Sequence, residues 1–375
     1  MARLEALDAV IAGGGVIGLA VARALARAGR SVVLLEAETA LGTHASSRNS
    51  EVVHAGIDYA PGSLKAELCV AGKHALYAYC EEQGVPYALP GKLVVATRDA
   101  EIAELERLAA RAEANGVHDL VWLDGAGVRA LEPELTAVRA LWSPSTGIVS
   151  SHALMAALKR EAVERGAVVV LSTPVLGGRV EQGGFVLELG GSEPTTVRCR
   201  TFVNAAGLAA TALSRALAGV PATSIPRQYF AKGRYFALTG ASPFRHLVYP
   251  VPEPGGLGVH VTLDLAGAVR FGPDVTWVDG VDYAVEETRA AAFYAAVRRY
   301  YPALADGALV PSYAGVRTKL VPSGAPPGDF VVSDERAHGV PGLVALYGIE
   351  SPGLTACLAI AERACASLTG RGLPG

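Results

Sequence analysis

The chain opens on a change of hydrophobic rhythm. An apolar run at residues 7–12, broken only by Asp8, reads as a strand buried on both faces of a parallel sheet. At three consecutive glycines it gives way to residues 16–28, whose small and apolar positions follow a helical period, and Gly29 supplies the stop. Residues 32–35 are a second apolar run, ending at Glu36. Strand, helix and strand in close succession form a right-handed βαβ unit, the usual start of a doubly wound sheet.

Further along, the rhythm alternates between this pattern and another. Residues 62–83 have helical periodicity, 92–97 are rich in β-formers, and 99–115 predict a charged amphipathic helix. A helix at 151–165 and a strand at 167–171 resume the first pattern, followed by a meander at 175–201 with glycine turns at Gly177, Gly183 and Gly190. A helix is expected at 208–217. Antiparallel strands are then expected at 228–238, 246–251, 258–263 and 268–272, with a helix at 285–301 packed on them. A strand at 343–347 and a helix from Pro352 to about Leu368 close the chain. The fold class is therefore α/β. A Rossmann-type nucleotide domain (1–78, 147–222 and 321–375) is interleaved with an antiparallel-sheet α+β substrate domain (79–146 and 223–320). No repeat and no low-complexity linker interrupts it.

Composition narrows the partners. With 375 residues, 51% hydrophobic and only 18% charged, the chain is long enough and apolar enough to bury more than one core. A formal net charge of −3 supplies no broad positive field for nucleic acid, so small molecules are the expected partners. Five scattered cysteines, none in C-x-x-C spacing, signal neither disulfides nor metal. The longest charge-free stretch, 140–158, contains Pro144, several serines and His152, so no transmembrane segment is expected. The apolar stretch at 10–25 carries three glycines and Arg23, which suit a strand-turn-helix better than an export signal. The expected location is the cytoplasm, free or in peripheral contact with the inner membrane.

Gly13-Gly14-Gly15-Val16-Ile17-Gly18 matches G-x-G-x-x-G directly after a strand and at the opening of a helix. Gly13 permits the turn, Gly15 lets a pyrophosphate approach the backbone, and Gly18 lets helix and strand pack closely. Free N–H groups and the positive end of the helix dipole suit phosphate. Glu36, at the end of the second strand and followed by Ala37, is placed to accept hydrogen bonds from ribose hydroxyls. This unit alone leaves FAD and NAD both open.

Later motifs carry a resemblance. Val203-Asn204-Ala205-Ala206-Gly207, a strand running into a small-residue turn, resembles the second flavoprotein motif of the FAD-dependent D-amino-acid oxidase superfamily. Ser46-Ser47-Arg48-Asn49-Ser50 resembles the polar segment that in this superfamily runs past pyrophosphate and flavin. Gly348-Ile349-Glu350-Ser351-Pro352-Gly353-Leu354-Thr355 leads into a helix whose N-terminus can face the flavin. Val175, at the start of the meander, completes the expected cofactor set. Within the superfamily the chain resembles L-2-hydroxyglutarate dehydrogenases and oxidases over nearly its whole length. The matching segments are His54-Ala55-Gly56 and its flanks, Gly91-Lys92-Leu93-Val94-Val95-Ala96, Tyr313-Ala314-Gly315-Val316-Arg317-Thr318-Lys319-Leu320 and the turn from Ile349 to Leu354. The sequence departs from that pattern at Glu51, Asp58 and Thr318.

The resemblance implies FAD, held noncovalently, and oxidation of a small 2-hydroxy acid, most closely L-2-hydroxyglutarate, with a quinone or another electron acceptor taking the electrons. Such chemistry needs a base for the hydroxyl proton and cations for carboxylate. His54 and His260 are the candidate bases, His54 within a segment resembling that of flavin glycerol-3-phosphate dehydrogenases. His260 reads equally as a histidine bonded within its sheet. Arg317 and Lys319 alternate on one strand and should share a face, with arginine the better carboxylate fork; Arg270, Lys232 and Arg234 are weaker candidates. His44 is the position at which some relatives tether flavin. The rival readings are an amino-acid, sarcosine or glycine oxidase on the same fold, and a flavin-binding protein without turnover.

Overall fold

The computed structural model describes residues 7–251 and 258–369. Residues 1–6, 252–257 and 370–375, all of which fall in the expected domain spans, lie outside it. Two nine-stranded sheets organise the molecule. In the first, Leu7–Ala12 is central, flanked in parallel by Val32–Leu35 and by the second half of Thr195–Asn204. Val168–Val170 extends it in parallel on one side and Leu343–Tyr347 on the other, with Val331–Ser333 antiparallel at that end. Helices Val16–Arg27, Ser151–Glu164 and Gly353–Thr369 cover one face, burying Leu19, Leu154, Leu158 and Ile360 completely.

Two glycine contacts set the local geometry. A methyl on Gly18 would stand 1.9 Å from the Gly13 carbonyl oxygen, so the first helix can meet the first strand only with glycine there. A methyl on Gly315 would stand 2.2 Å from the Arg48 carbonyl oxygen. That contact draws strand Leu309–Lys319 against the polar 46–50 segment.

The second sheet runs from Thr276–Val278 through Tyr229–Leu238, Val269–Gly272, His260–Leu263, Leu247–Pro250, Lys92–Ala96 and Arg139–Ser143 to Val121–Asp124. Leu309–Lys319 pairs along the length of Tyr229–Leu238. Four expectations need correction. Leu247–Pro250 is antiparallel to His260–Leu263 but parallel to Lys92–Ala96, because the latter enters from a distant part of the chain. The helix expected at 285–301 is confined to Ala290–Val297 after a short 3₁₀ turn. Glu286 is drawn to Arg234 and Arg289 to Asp274, which holds the approach out of helix, and Pro302 disfavours helix at Tyr301. Gly177 lies within strand Val175–Glu181, at a register shift, and forms no turn. The helix expected at 208–217 also shrinks, to a 3₁₀ turn and Ala210–Arg215, with Leu217–Ala218 joining the sheet.

Candidate active site

Between the two sheets runs a groove in two connected parts, which share Ile17, Ala45, Ser46 and Ile349 in their walls. The outer part has a volume of about 580 Å³ and lies over the C-terminal ends of the first two parallel strands. Gly13, Gly15, Glu36, Ala37 and Val175 line it, and Ala205, Ala206 and Gly207 line its far wall. Glu36 accepts the Gly14 N–H at 2.6 Å through one oxygen and the Glu38 N–H at 2.8 Å through the other. Each oxygen keeps a lone pair for a ligand hydroxyl. His44 lines this outer part, with Nδ1 2.8 Å from the Tyr283 hydroxyl and Nε2 3.0 Å from Glu38.

The inner part, about 190 Å³, is walled by Val16, Arg48, Asn49 and Ser50 on the nucleotide side. The Glu350 to Thr355 turn closes its floor, and His54, Tyr235, Tyr249, His260 and Arg317 face it from the second sheet and its neighbours. Ser46 ties the two parts together: its hydroxyl accepts the Val16 N–H at 2.9 Å, and a methyl on Gly15 would meet that oxygen at 2.8 Å. An elongated channel with a helix N-terminus at its waist, a carboxylate in its wider outer part and a narrower chamber at the other end fits a dinucleotide carrying a ring system. The residues present therefore fit FAD.

His54 is fixed from three sides. Its backbone N–H donates to Thr355 Oγ1 at 3.0 Å, its carbonyl accepts the Cys69 thiol, and Nε2 lies 3.2 Å from Ser351 Oγ. Burial, reinforced by the Lys92 ammonium, holds the imidazole down to about 3. His260 is pushed well below its ordinary value, first by burial and then by Lys92, His54 and Arg317. Its ring stacks on Tyr249, centroids 3.5 Å apart. Both imidazoles are therefore neutral at physiological pH.

Arg317 and Lys319 do not play the same part. Arg317 lines the chamber, whereas Lys319 reaches Glu350 at 2.7 Å and lies outside the lining. Lys65 joins the same carboxylate at 2.9 Å. Burial raises the Glu350 carboxyl, and the two ammonium groups outweigh it, leaving it below its usual range. Lys232 pairs with Asp282 and Glu286, Arg234 with Asp274 and Glu286, and Arg270 with Asp264 at 3.1 Å; none of the three lines the chamber. Gly18, Ser47 and Gly348 also lie outside both linings, Gly18 serving the packing already described.

The three departures from the resembled pattern have structural partners. Glu51 accepts the N–H and hydroxyl of Ser151 at 2.8 and 2.7 Å, at the start of helix Ser151–Glu164. Asp58 pairs with Arg111 at 2.6 Å, and Thr318 Oγ1 accepts from Gln228 at 2.8 Å. Sequence reading missed Tyr235, Tyr249 and the significance of Lys92. For Lys92 a signal existed, a lysine at the head of an otherwise apolar strand that is buried at every position.

The family model described as FAD dependent oxidoreductase (DAO) matches residues 8–367. The mitochondrial L-2-hydroxyglutarate dehydrogenase of Arabidopsis thaliana is 45% identical over 398 residues, covering 96% of this chain and 82% of that protein. The mitochondrial L-2-hydroxyglutarate dehydrogenase of Caenorhabditis elegans is 31% identical over 404 residues, with 96% and 92% covered. Among solved structures, a dithionite-reduced L-alpha-glycerophosphate oxidase from Mycoplasma pneumoniae with FAD bound matches with a TM-score of 0.87 at 27% identity, covering 99% of this chain and 96% of that one.

Proposed function

The chain belongs to the family of FAD-dependent oxidoreductases, and from that premise we propose that it oxidises the 2-hydroxyl of L-2-hydroxyglutarate to the 2-oxo acid. The observation that carries this reading is the charge of the inner chamber. Among the described residues that line it, Arg48 and Arg317 are cations, His54 and His260 are neutral, and Glu350 is the one carboxylate, already bound by two lysines. Such a chamber attracts an anion with an uncharged hydroxyl and repels the ammonium group of an amino acid. The names of the Arabidopsis and nematode relatives support the same substrate.

FAD would lie with its ribose at Glu36, its pyrophosphate at Gly13, Gly15 and Ser46, and its ring system beside the turn from Ile349 to Thr355. When bound it supplies the acceptor for the two electrons that leave C2 as hydride. Arg317 binds the C1 carboxylate through its planar fork and so turns the single C2 hydrogen toward that acceptor. Ser351 holds His54 Nε2 toward the chamber, and the substrate hydroxyl takes the place of Ser351 at that nitrogen and gives up its proton to it. The positive end of helix Gly353–Thr369 meets the chamber and favours negative charge there. Noncovalent attachment is supported by His44, whose two ring nitrogens are engaged by Tyr283 and Glu38 in the outer groove. The relatives are named dehydrogenases, which favours an electron acceptor other than oxygen, such as a quinone.

The test is an anaerobic screen of the FAD-loaded protein with 2-hydroxy acids and with amino acids. Bleaching of the oxidised-flavin band by 2-hydroxyglutarate and not by glutamate, glycine or sarcosine is expected. The opposite pattern would move the protein to the amine-oxidising branch.

A further inference from the structure

Lys92 is 5% exposed, and its ammonium makes no ion pair or hydrogen bond among the described residues. Its contact is with the Tyr249 ring, 4.8 Å from the centroid. An unpaired ammonium in the interior is costly, and proteins remove such groups unless something binds them.

The sheet register shows where this cation stands. Leu247–Pro250 lies between Lys92–Ala96 on one side and His260–Leu263 on the other. Lys92 is opposite Leu247, two residues before Tyr249 on the same face, whereas the pairing of Val248 with Val261 sets Tyr249 beside His260. Lys92, Tyr249 and His260 therefore form a row across one sheet face, and Tyr249 and His260 line the chamber that Arg317 enters. His260 feels both cations, Lys92 from one direction along with Arg317.

We propose that Lys92 is the counter-charge for the substrate's second carboxylate, so that Arg317 and Lys92 together select dicarboxylic over monocarboxylic 2-hydroxy acids. This rests on the hydroxy-acid reading of the chamber and deepens it. One carboxylate is held by a directional fork beside the site of oxidation. The other is assigned to a compact ammonium that stands over the Tyr249 ring, one residue back from the chamber lining, on a flexible stem able to turn toward the chamber. The bound dianion supplies the missing partner, and the desolvation of Lys92 is offset only when a diacid is present.

The experiment uses FAD-loaded parent, Lys92→Met and Lys92→Arg proteins. Kinetics with 2-hydroxyglutarate and 2-hydroxybutyrate are compared, and thermal unfolding is followed with glutarate or butyrate as non-reacting ligands. In Lys92→Met, kcat/KM for the diacid should fall roughly 100-fold while that for the monoacid changes less than about threefold. Lys92→Arg should restore part of the preference. Glutarate, and not butyrate, should raise the parent's Tm, and Lys92→Met should lose that response while its ligand-free Tm is equal or higher.

Equal losses with both acids, or a lower ligand-free Tm with discrimination retained, would make Lys92 a structural residue and overturn the proposal. If the parent oxidises neither acid, the hydroxy-acid reading fails on its own. The glutarate response still decides Lys92: its persistence in Lys92→Met refutes the assignment and its loss supports it.

Discussion

The His260 imidazole lies face to face with the Tyr249 ring, 3.5 Å between centroids and 6° from parallel. One face of His260 is thus covered, and its position is set by two neighbouring strands. His54 instead sits in a loop, with Nε2 turned toward a hydroxyl on the turn that opens the last helix. The two histidines are differently built for proton transfer, and among the described residues only His54 has a hydrogen-bond partner that orients a ring nitrogen within the chamber.

His54→Gln should therefore retain FAD and its spectrum but slow anaerobic reduction by 2-hydroxyglutarate by roughly 10²- to 10⁴-fold, the usual cost of losing a general base. His260→Gln should cost less and should raise KM more than it lowers kcat. Stopped-flow reduction of both variants decides it. Parent-like reduction by His54→Gln would transfer the proton to His260 or to water.

Arg317→Lys keeps the charge but loses the planar fork, so substrate should still bind while much of the rate is lost. Arg317→Met should fail more completely, since a desolvated carboxylate without its partner costs a few kcal/mol. Both variants should keep full FAD content. If Arg317→Met reduces as fast as the parent, the anchor belongs to another cation.

Removing the Glu36 carboxylate in Glu36→Ala takes away its bonds to the Gly14 and Glu38 N–H groups as well as those proposed for ribose. FAD affinity should fall by roughly 1.5–3 kcal/mol, the range for a charge-assisted hydrogen bond. Titration of the apoprotein with FAD, followed by flavin fluorescence, measures it. Unchanged affinity would place the ribose elsewhere.

The nucleotide half of the groove was legible because its signals are local. Three glycines between a strand and a helix, and an acidic residue at the end of the next strand, are short-range constraints. The chamber was less legible because its contacts are long-range. Alternation along one strand puts Arg317 and Lys319 on a common face, yet Glu350, drawn in by a turn 31 residues away, takes up Lys319. Likewise nothing in the local pattern at 285–301 reveals that Arg234 and Asp274 hold the approach to that helix open. Lys92 was visible only as a lysine in a buried strand. Its place beside Tyr249 depends on a parallel pairing between segments far apart in the chain.

The pH dependence joins these assignments. His54 must be neutral to accept a proton, and burial holds its imidazole down to about 3, so the acid limb of kcat/KM should lie well below the ordinary histidine value of 6.5. Lys92 acts the other way. Burial is the largest influence and lowers it to about 8, with Asp58 and Cys69 opposing. The groups around it leave it the one titrating near that pH: burial raises Cys69 to about 12, keeps His54 and His260 neutral, and raises the Tyr249 hydroxyl. Burial also raises Asp58, against the pull of Arg111, but that carboxyl starts from 3.8. As pH rises through about 8 the free enzyme loses this cation, so kcat/KM for the diacid should fall while that for 2-hydroxybutyrate stays level. Stability should move in the opposite direction. The folded-state value lies below the unfolded 10.5, so the unfolded chain binds more protons between about 8 and 10.5, and this group's contribution to stability rises with pH across that window. A parallel alkaline fall for both acids would assign the limb to a group other than Lys92. Its absence in Lys92→Met, with the acid limb unchanged, is the expected result.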